Sequence, residues 1–328
     1  MNNETAIAAN ELEAAATDLA RVVAEIRKVV VGQESVIEQA LIGLLSGGHV
    51  LVEGVPGLGK TLLVKALAKT LHGTFARIQF TPDLMPSDVT GHTLYDSSTG
   101  QFTARRGPIF ANFILADEIN RAPAKTQASL LEVMQEAQVT IEGQSHALAP
   151  PFMVFATQNP IEHEGTYPLP DAQLDRFLLN ARIGYPSLEE EVALTRQVTT
   201  ASVGERLSVD AVDAVLEPAR VSRLQALAAS LVVDEAVTAY AVRLARATRE
   251  HAGLARGAGP RASIALIRAA RAKGLLSGRA FATPDDVKAV ALSVLRHRVS
   301  LSPELEIEGR DADSVIGDLL GEVQAPRL

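Results

Sequence analysis

Apolar residues near the start of the chain recur at helical spacing. Leu12, Ala15, Leu19, Val22, Val23 and Ile26 fall on one stripe, which predicts an amphipathic helix over residues 10–28 that packs on the next domain. Residues 29–34 interrupt the stripe, a second helix runs through Leu45, and Ser46-Gly47-Gly48 turns the chain. From His49 the pattern changes to short apolar runs separated by helical stretches. Strands are predicted over residues 49–53, 75–80, 109–116, 152–157 and 178–183, with helices over 62–71 and 122–136. Such alternation predicts an α/β domain with a parallel sheet flanked by helices. Two stretches depart from it. Residues 93–106 alternate around Ser97-Ser98-Thr99-Gly100, and residues 138–148 turn at Glu142-Gly143-Gln144 with Val139 and Ile141 on one face. Both are hairpin signals, and on their own residues they are surface decoration. After Tyr185-Pro186-Ser187 the chain becomes Ala- and Arg-rich and helical throughout. Thr283-Pro284-Asp285-Asp286 there is a well-formed helix start, a capping Thr followed by Pro and acids. The predicted division is 1–28 for the amphipathic helix, 29–186 for the α/β domain and 187–328 for an all-helical domain.

Composition sharpens this picture. At 328 residues the chain is long enough for two domains, or one large domain with an appendage. Its 47% hydrophobic content is ample for a core, and with only 4% aromatics that core is aliphatic. The absence of cysteine excludes disulfides, thiolate metal sites and cysteine nucleophiles, and suits a cytoplasmic location. The polar, acidic start Met1-Asn2-Asn3-Glu4 is unlike a signal peptide. Nor is any run long and apolar enough to span a membrane. A net charge of −8 and a pI near 5.5 speak against non-specific nucleic-acid binding.

The candidate chemistry centres on Gly54-Val55-Pro56-Gly57-Leu58-Gly59-Lys60-Thr61, an unbroken G-x-x-x-x-G-K-[ST] between a predicted strand and a predicted helix. Backbone N–H groups of such a loop, with the helix N-terminus, cradle phosphate oxygens. Lys60 is expected on the β- and γ-phosphates and Thr61 on Mg²⁺. The spacing is not that of a dinucleotide fingerprint. Asp117 and Glu118 end an apolar strand, where Asp117 is expected to hold Mg²⁺ and Glu118 to act as general base on the attacking water. Asn159 ends the next strand and is suited to positioning that water or sensing the γ-phosphate. Arg176, in Leu174-Asp175-Arg176-Phe177, is either an arginine finger or the partner of Asp171 or Asp175 in a surface ion pair. Arg261, in Gly259-Pro260-Arg261-Ala262, opens a helix and carries no signal alone.

Taken in order, phosphate loop, Asp-Glu strand, Asn strand, Leu-Asp-Arg-Phe and Gly-Pro-Arg resemble a AAA+ ATPase. More narrowly, EGVPGLGKT, LADEINRAPAKTQASLLEVMQE, VTIEG, ATQNPIEHEGTYPLPDAQLDRF and GPRA resemble the MoxR family, over about residues 25–300. The resemblance implies a P-loop AAA+ core with a C-terminal all-helical lid. It puts Val31, Gly32 and Gln33 against the adenine and makes Asn159 sensor 1. Arg176 then reaches a neighbouring subunit's nucleotide, and Arg261 is sensor 2 on the lid. The hairpins become the helix-2 insert and the pre-sensor-1 hairpin of that branch. Gly259 stands where the family usually has Ser, which bears on the turn before Arg261. The resemblance further implies ATP and Mg²⁺ as cofactors and a homo-oligomeric ring, a hexamer, acting on a protein client. Members often work with von Willebrand A-domain proteins. Two other readings share much of this core, a metal-chelatase ATPase subunit and a nucleic-acid motor or transcription-activator ATPase. The acidic pI and the lack of an added DNA-binding module disfavour the motor.

Overall fold

The computed structural model describes residues 9–55, 57–98, 100–159, 166–201 and 208–326. Along the chain come β1 (Val50–Glu53), β2 (Phe75–Gln79), the hairpin of β3 (Gly91–Asp96) and β4 (Gln101–Arg106), then β5 (Phe113–Asp117). A second hairpin of β6 (Gln138–Ile141) and β7 (Gln144–Ala147) precedes β8 (Met153–Gln158) and β9 (Leu179–Arg182). Strands β2, β5, β8, β1 and β9 lie side by side in that order, and every pairing is parallel. Gln79 stands opposite Asp117 and Glu53 opposite Gln158, so the carboxyl ends of the strands are level.

Successive side chains of a strand face opposite ways, and the two faces of this sheet feed separate apolar clusters. Val50, Val52, Phe113, Leu115, Met153 and Phe155 enter one, while Leu51, Ile114, Ala116, Val154 and Ala156 enter the other. The first face is covered by α1 (Ala9–Arg27), α2 (Glu34–Leu45) and α3 (Lys60–Thr70). Ala15, Leu19, Val22 and Ile26 of the predicted stripe are buried there. The one-turn α4 (Pro86–Thr90) and α5 (Ala124–Glu136) cover the second face, and α6 (Asp171–Leu174) precedes β9.

One predicted strand is shorter than expected. The apolar run 109–116 begins not as a strand but as a single 3-10 turn, Pro108–Phe110, because Gly107 and Pro108 start it without a ladder donor at the proline. Ile109 is nevertheless fully buried. Asn112 then bonds Thr74, Ala149 and Pro151, and the strand begins only at Phe113.

Beyond β9 the chain is helical: α7 (Leu188–Ala201), α8 (Pro218–Ser230), α9 (Glu235–Glu250), α10 (Pro260–Leu276), α11 (Pro284–Leu295), α12 (Pro303–Ile307) and α13 (Ala312–Glu322). Two short ladders tie the helices together, Val232–Val233 with Phe281–Ala282 and Leu254–Arg256 with Ser300–Leu301. Thr283 caps α11 as its sequence predicts, in a reciprocal box with Asp286. Residues of α8 to α11 and α13 share the apolar cluster on the first sheet face, so the helical part is packed onto the sheet's flanking helices. No described helix is long and apolar enough to cross a membrane.

Candidate functional site

The loop after β1 takes a backbone that glycine permits. Gly57 and Gly59 lie at φ +86° and +79°, in the left-handed region, and a Cβ on either would meet nothing within 4 Å. Gly54, at φ +155°, has no such room, since a Cβ would stand 2.5 Å from the Ile183 carbonyl oxygen. This close approach seats the loop against β9. Gly59 caps α3, so the helix begins at Lys60 with its free N–H groups aimed at the loop. Lys60 Nζ donates to the Gly54 carbonyl at 2.5 Å, and burial pushes its pKa down while Asp117 and Glu118 pull it partly back. Pro56 lies outside the described residues.

A cavity of about 250 Å³ opens over this loop, lined by Gly57, Gly59, Lys60, Thr61, Asp117, Glu118, Thr157 and Asn159, and by Arg77 and Gln79 from β2. Parallel topology explains the gathering, because the residues follow or end strands at the same carboxyl edge, with Arg77 two positions before the end of β2 on the same face as Gln79. Thr157 Oγ1 donates to Asp117 Oδ1 at 2.6 Å and accepts from the Glu118 N–H at 2.9 Å. Arg77 Nη2 donates to Asp117 Oδ2 at 2.6 Å, and Gln79 Nε2 to Glu118 Oε2 at 2.7 Å. Glu118 itself has left-handed backbone, φ 56° and ψ 50°, unusual for a side chain with a Cβ. Nearby, Gly32 stands at φ +71° and Gln33 Nε2 donates to the Gly184 carbonyl at 3.2 Å, just past Ile183 and so beside the start of the loop.

The chemistry of this cavity fits a Mg-nucleotide. Open left-handed glycines and a helix N-terminus suit phosphate oxygens, and Thr61 with Asp117 offers hard oxygen donors for Mg²⁺, which takes few protein ligands when phosphates supply the rest.

Arg176 and Arg261 are not in it. They line a second cavity, of about 360 Å³, with Gly47, Gly48, His49, Asp175, Arg268 and Arg298 among its walls. His49 precedes β1 and Leu178 precedes β9, so this cavity opens at the amino edge of the sheet, opposite the loop. The strand between the two edges is four residues long, roughly 13 Å. Neither acid near Arg176 pairs with it. Asp171 Oδ1 pairs with Arg256 at 2.8 Å, and Asp175 with Arg298 at 2.8 Å and Arg261 at 4.0 Å. Among the described residues the ion-pair alternative for Arg176 is therefore not realised. His49 is buried, accepts from the Val154 N–H at 3.0 Å and lies 2.9 Å from the Met134 carbonyl. Burial lowers its pKa to about 4, and the neutral ring donates from Nε2 to Met134.

Sequence reasoning missed Arg77, Gln79 and Thr157. A signal existed: Arg77 and Gln79 are polar at period two in a strand whose other members are mostly apolar. It also missed Arg298 and His297, whose partners lie about 120 positions away in sequence.

Comparison with known proteins gives concordant matches. The family model described as "ATPase family associated with various cellular activities (AAA)" matches residues 49–179, and an AAA lid domain matches 246–319. The chain is 46% identical to Chaperone MoxR1 of Mycobacterium tuberculosis, over 98% of this chain and 85% of that protein. It is 34% identical to Protein MoxR of Methylorubrum extorquens, over 88% and 89% of the two. The crystal structure of a candidate ATPase from Cytophaga hutchinsonii superposes with a TM-score of 0.89 at 41% identity, covering 97% of this chain and 98% of that one.

Proposed function

The chain belongs to the MoxR family of AAA+ ATPases, and we propose that it acts as a homo-oligomeric ring, a hexamer, in which each ATP is held by one protomer and completed by the next. In one protomer Gly54 to Thr61 hold the phosphates, Lys60 neutralises the β- and γ-oxygens, and Gly32 and Gln33 border the adenine. Thr61 and Asp117 hold Mg²⁺, whose charge offsets that building on the phosphate oxygens. Glu118 takes the proton of the attacking water, and Asn159 orients that water. Gln79 and Arg121 both hold Glu118 through Oε2, and Arg77 and Thr157 hold the two oxygens of Asp117, so both carboxylates are already oriented in the cavity where Asp117 would face the metal. Arg176 reaches the γ-phosphate of the adjoining protomer, with Arg261 beside it.

One observation carries the reading. The phosphate-loop cavity and the arginine cavity are at opposite edges of the same sheet, with the length of β1 between them. An arginine at the amino edge cannot serve the phosphate at its own carboxyl edge, whereas a head-to-tail contact between copies joins unlike edges and forms a ring where the rotation closes. We further propose a chaperone-like role, as the name of the mycobacterial relative suggests, and, from the cysteine-free sequence, a cytoplasmic location. The work of hydrolysis is spent on remodelling or maturing a protein client, metal-cofactor insertion included, and the first client to test is a von Willebrand A-domain protein. The hairpins β3–β4 and β6–β7 are the surfaces for it. They face a common cavity lined by Thr93, Phe102, Ala104, Ile141, Glu142, Gln144 and His146, and Tyr95 and Phe102 are exposed.

Mixing tests the shared site. Arg176→Ala is expected to lose hydrolysis by up to roughly 10³–10⁵ while keeping ATP bound, and Lys60→Ala to lose binding. Mixed at equal amounts, about a quarter of head-to-tail interfaces pair an intact loop with an intact Arg176, so activity should return. Mixed rings, verified by mass, that stay inactive at every ratio would sink the reading.

A further inference from the structure

The turn that carries Arg176 is gripped from the helical part of the chain. Arg298 follows α11, and its side chain is only 4% exposed. Its Nε donates to Asp175 Oδ1 at 2.8 Å, Nη1 to the carbonyls of Leu178 at 3.1 Å and of Val294, and Nη2 to the carbonyls of Phe177 at 2.5 Å and Asp175 at 3.5 Å. All five N–H donors of the guanidinium therefore have an acceptor. Four of those five acceptors belong to Asp175, Phe177 and Leu178, the residues on either side of Arg176. His297 adds a second hold, with Nε2 3.1 Å from the same Phe177 oxygen. Its ring is buried and kept neutral, with Arg298 and Arg296 adding to the cost of a charge there. The partner of Nε2 is a carbonyl, which can only accept, so Nε2 carries the hydrogen.

A saturated, buried guanidinium cannot reach a nucleotide. It is also a poor means of adding stability, since apolar side chains of like volume often stabilise as well or better. What it does supply is direction, because a planar fork bound at five points fixes the backbone it grips. The gripped backbone leaves Arg176 in the wall of the arginine cavity, while Asp175 beside it is held by Arg298.

We propose that Arg298, assisted by His297, is a positioning residue for Arg176, through which the seating of the helical domain governs hydrolysis without governing nucleotide binding. The proposal rests on the reading of Arg176 as the arginine that meets the γ-phosphate. Asp175 also lies 4.0 Å from Arg261, so a shift of the helical domain carries both arginines together.

The test is a double-mutant cycle on the full-length ring. Arg298→Lys keeps the charge, but a single ammonium cannot span a carboxylate and the carbonyls around it. It should lower kcat by about tenfold to a hundredfold, the scale of a displaced reacting group, with the Kd of a fluorescent ATP analogue unchanged. In an Arg176→Ala background it should lower single-turnover hydrolysis no further, because the residue it acts through is gone. Asp175→Asn loosens the same grip while leaving the carbonyl contacts, and should repeat the pattern more weakly even if Arg298→Lys fails to fold. A loss that multiplies with Arg176→Ala, or that appears as weakened nucleotide binding, would overturn the coupling. So would wild-type kcat in Arg298→Lys or Asp175→Asn alongside a defective Arg176→Ala. Wild-type kcat in Arg176→Ala alone would show instead that the underlying reading of Arg176 is wrong.

Discussion

The two edges of the central sheet are built from opposite chemistry. At the carboxyl edge stand open backbone donors, one lysine, two carboxylates, one arginine already paired with Asp117, two hydroxyls and amides, an array that can hold an anion, a cation and a water at once. At the amino edge four arginines, Arg176, Arg261, Arg268 and Arg298, surround a cavity whose one carboxylate among the described residues is Asp175. The first is equipped to bind and to move a proton. The second offers fixed positive charge, and its one acid is already paired. Within one chain the β1 strand holds them apart, which is why the proposed site joins them between copies. On the proposed function the contrast amounts to a division of labour, in which affinity for nucleotide belongs to one edge and acceleration draws on both.

The largest way to sharpen that contrast is at the base. Glu118→Gln keeps size and the hydrogen bond with Gln79 but cannot take the water's proton. Steady-state hydrolysis should fall by on the order of 10²–10⁴, roughly 3–5 kcal/mol of barrier, with ATP still bound. Unchanged turnover would remove Glu118 from the role of base.

Next in size is the separation of binding from acceleration. Mg-ATP at a hundredfold excess over Kd should stabilise the wild-type chain by about 2.7 kcal/mol in thermal melts. Lys60→Ala should show none of this stabilisation, and Arg176→Ala nearly all of it. An equal loss in both would mean that the amino edge also binds, and the division fails.

The smallest effect concerns the footing of the amino edge. His49 is buried there with its pKa lowered from 6.5 to about 4, and burial lowers His297 as well. The folded chain refuses protons that the unfolded chain accepts, so stability falls as pH drops from about 6.5 towards 4. Between pH 6.5 and 5.5 His49 alone should cost about 1 kcal/mol. Calorimetry across that range checks it, and a flat melting temperature would be incompatible with neutral burial.

Much of the carboxyl edge was legible because its residues are contiguous or end a recognisable strand. Gly54 to Thr61 form one uninterrupted signal, and Asp117-Glu118 closes an apolar run, so parallel topology alone brings them near each other. The hairpins were legible from their turns, and the burial of Val139 and Ile141 matches the face assigned to them. The amino edge was much harder. Arg176 has two acids close in sequence, and both are claimed by arginines from the distant helical part, Arg256 and Arg298. No local pattern announces a partner chosen from so far along the chain. The run 109–116 misled for a different reason. Hydrophobicity reports burial, and Ile109 is buried on a 3-10 turn as completely as Ile114 is on a strand.

The left-handed backbone at Glu118 sets evolvability against turnover. A residue with a Cβ in that conformation carries strain of roughly 1–2 kcal/mol that glycine escapes, partly offset by the greater freedom glycine has in the unfolded chain. The replacement that relaxes the chain is thus also the one that deletes the carboxylate. A library screened only for survival on heating is expected to enrich Glu118→Gly, and if Glu118 is the base as proposed, selection for durability alone would drift towards a protein that holds ATP and does nothing with it.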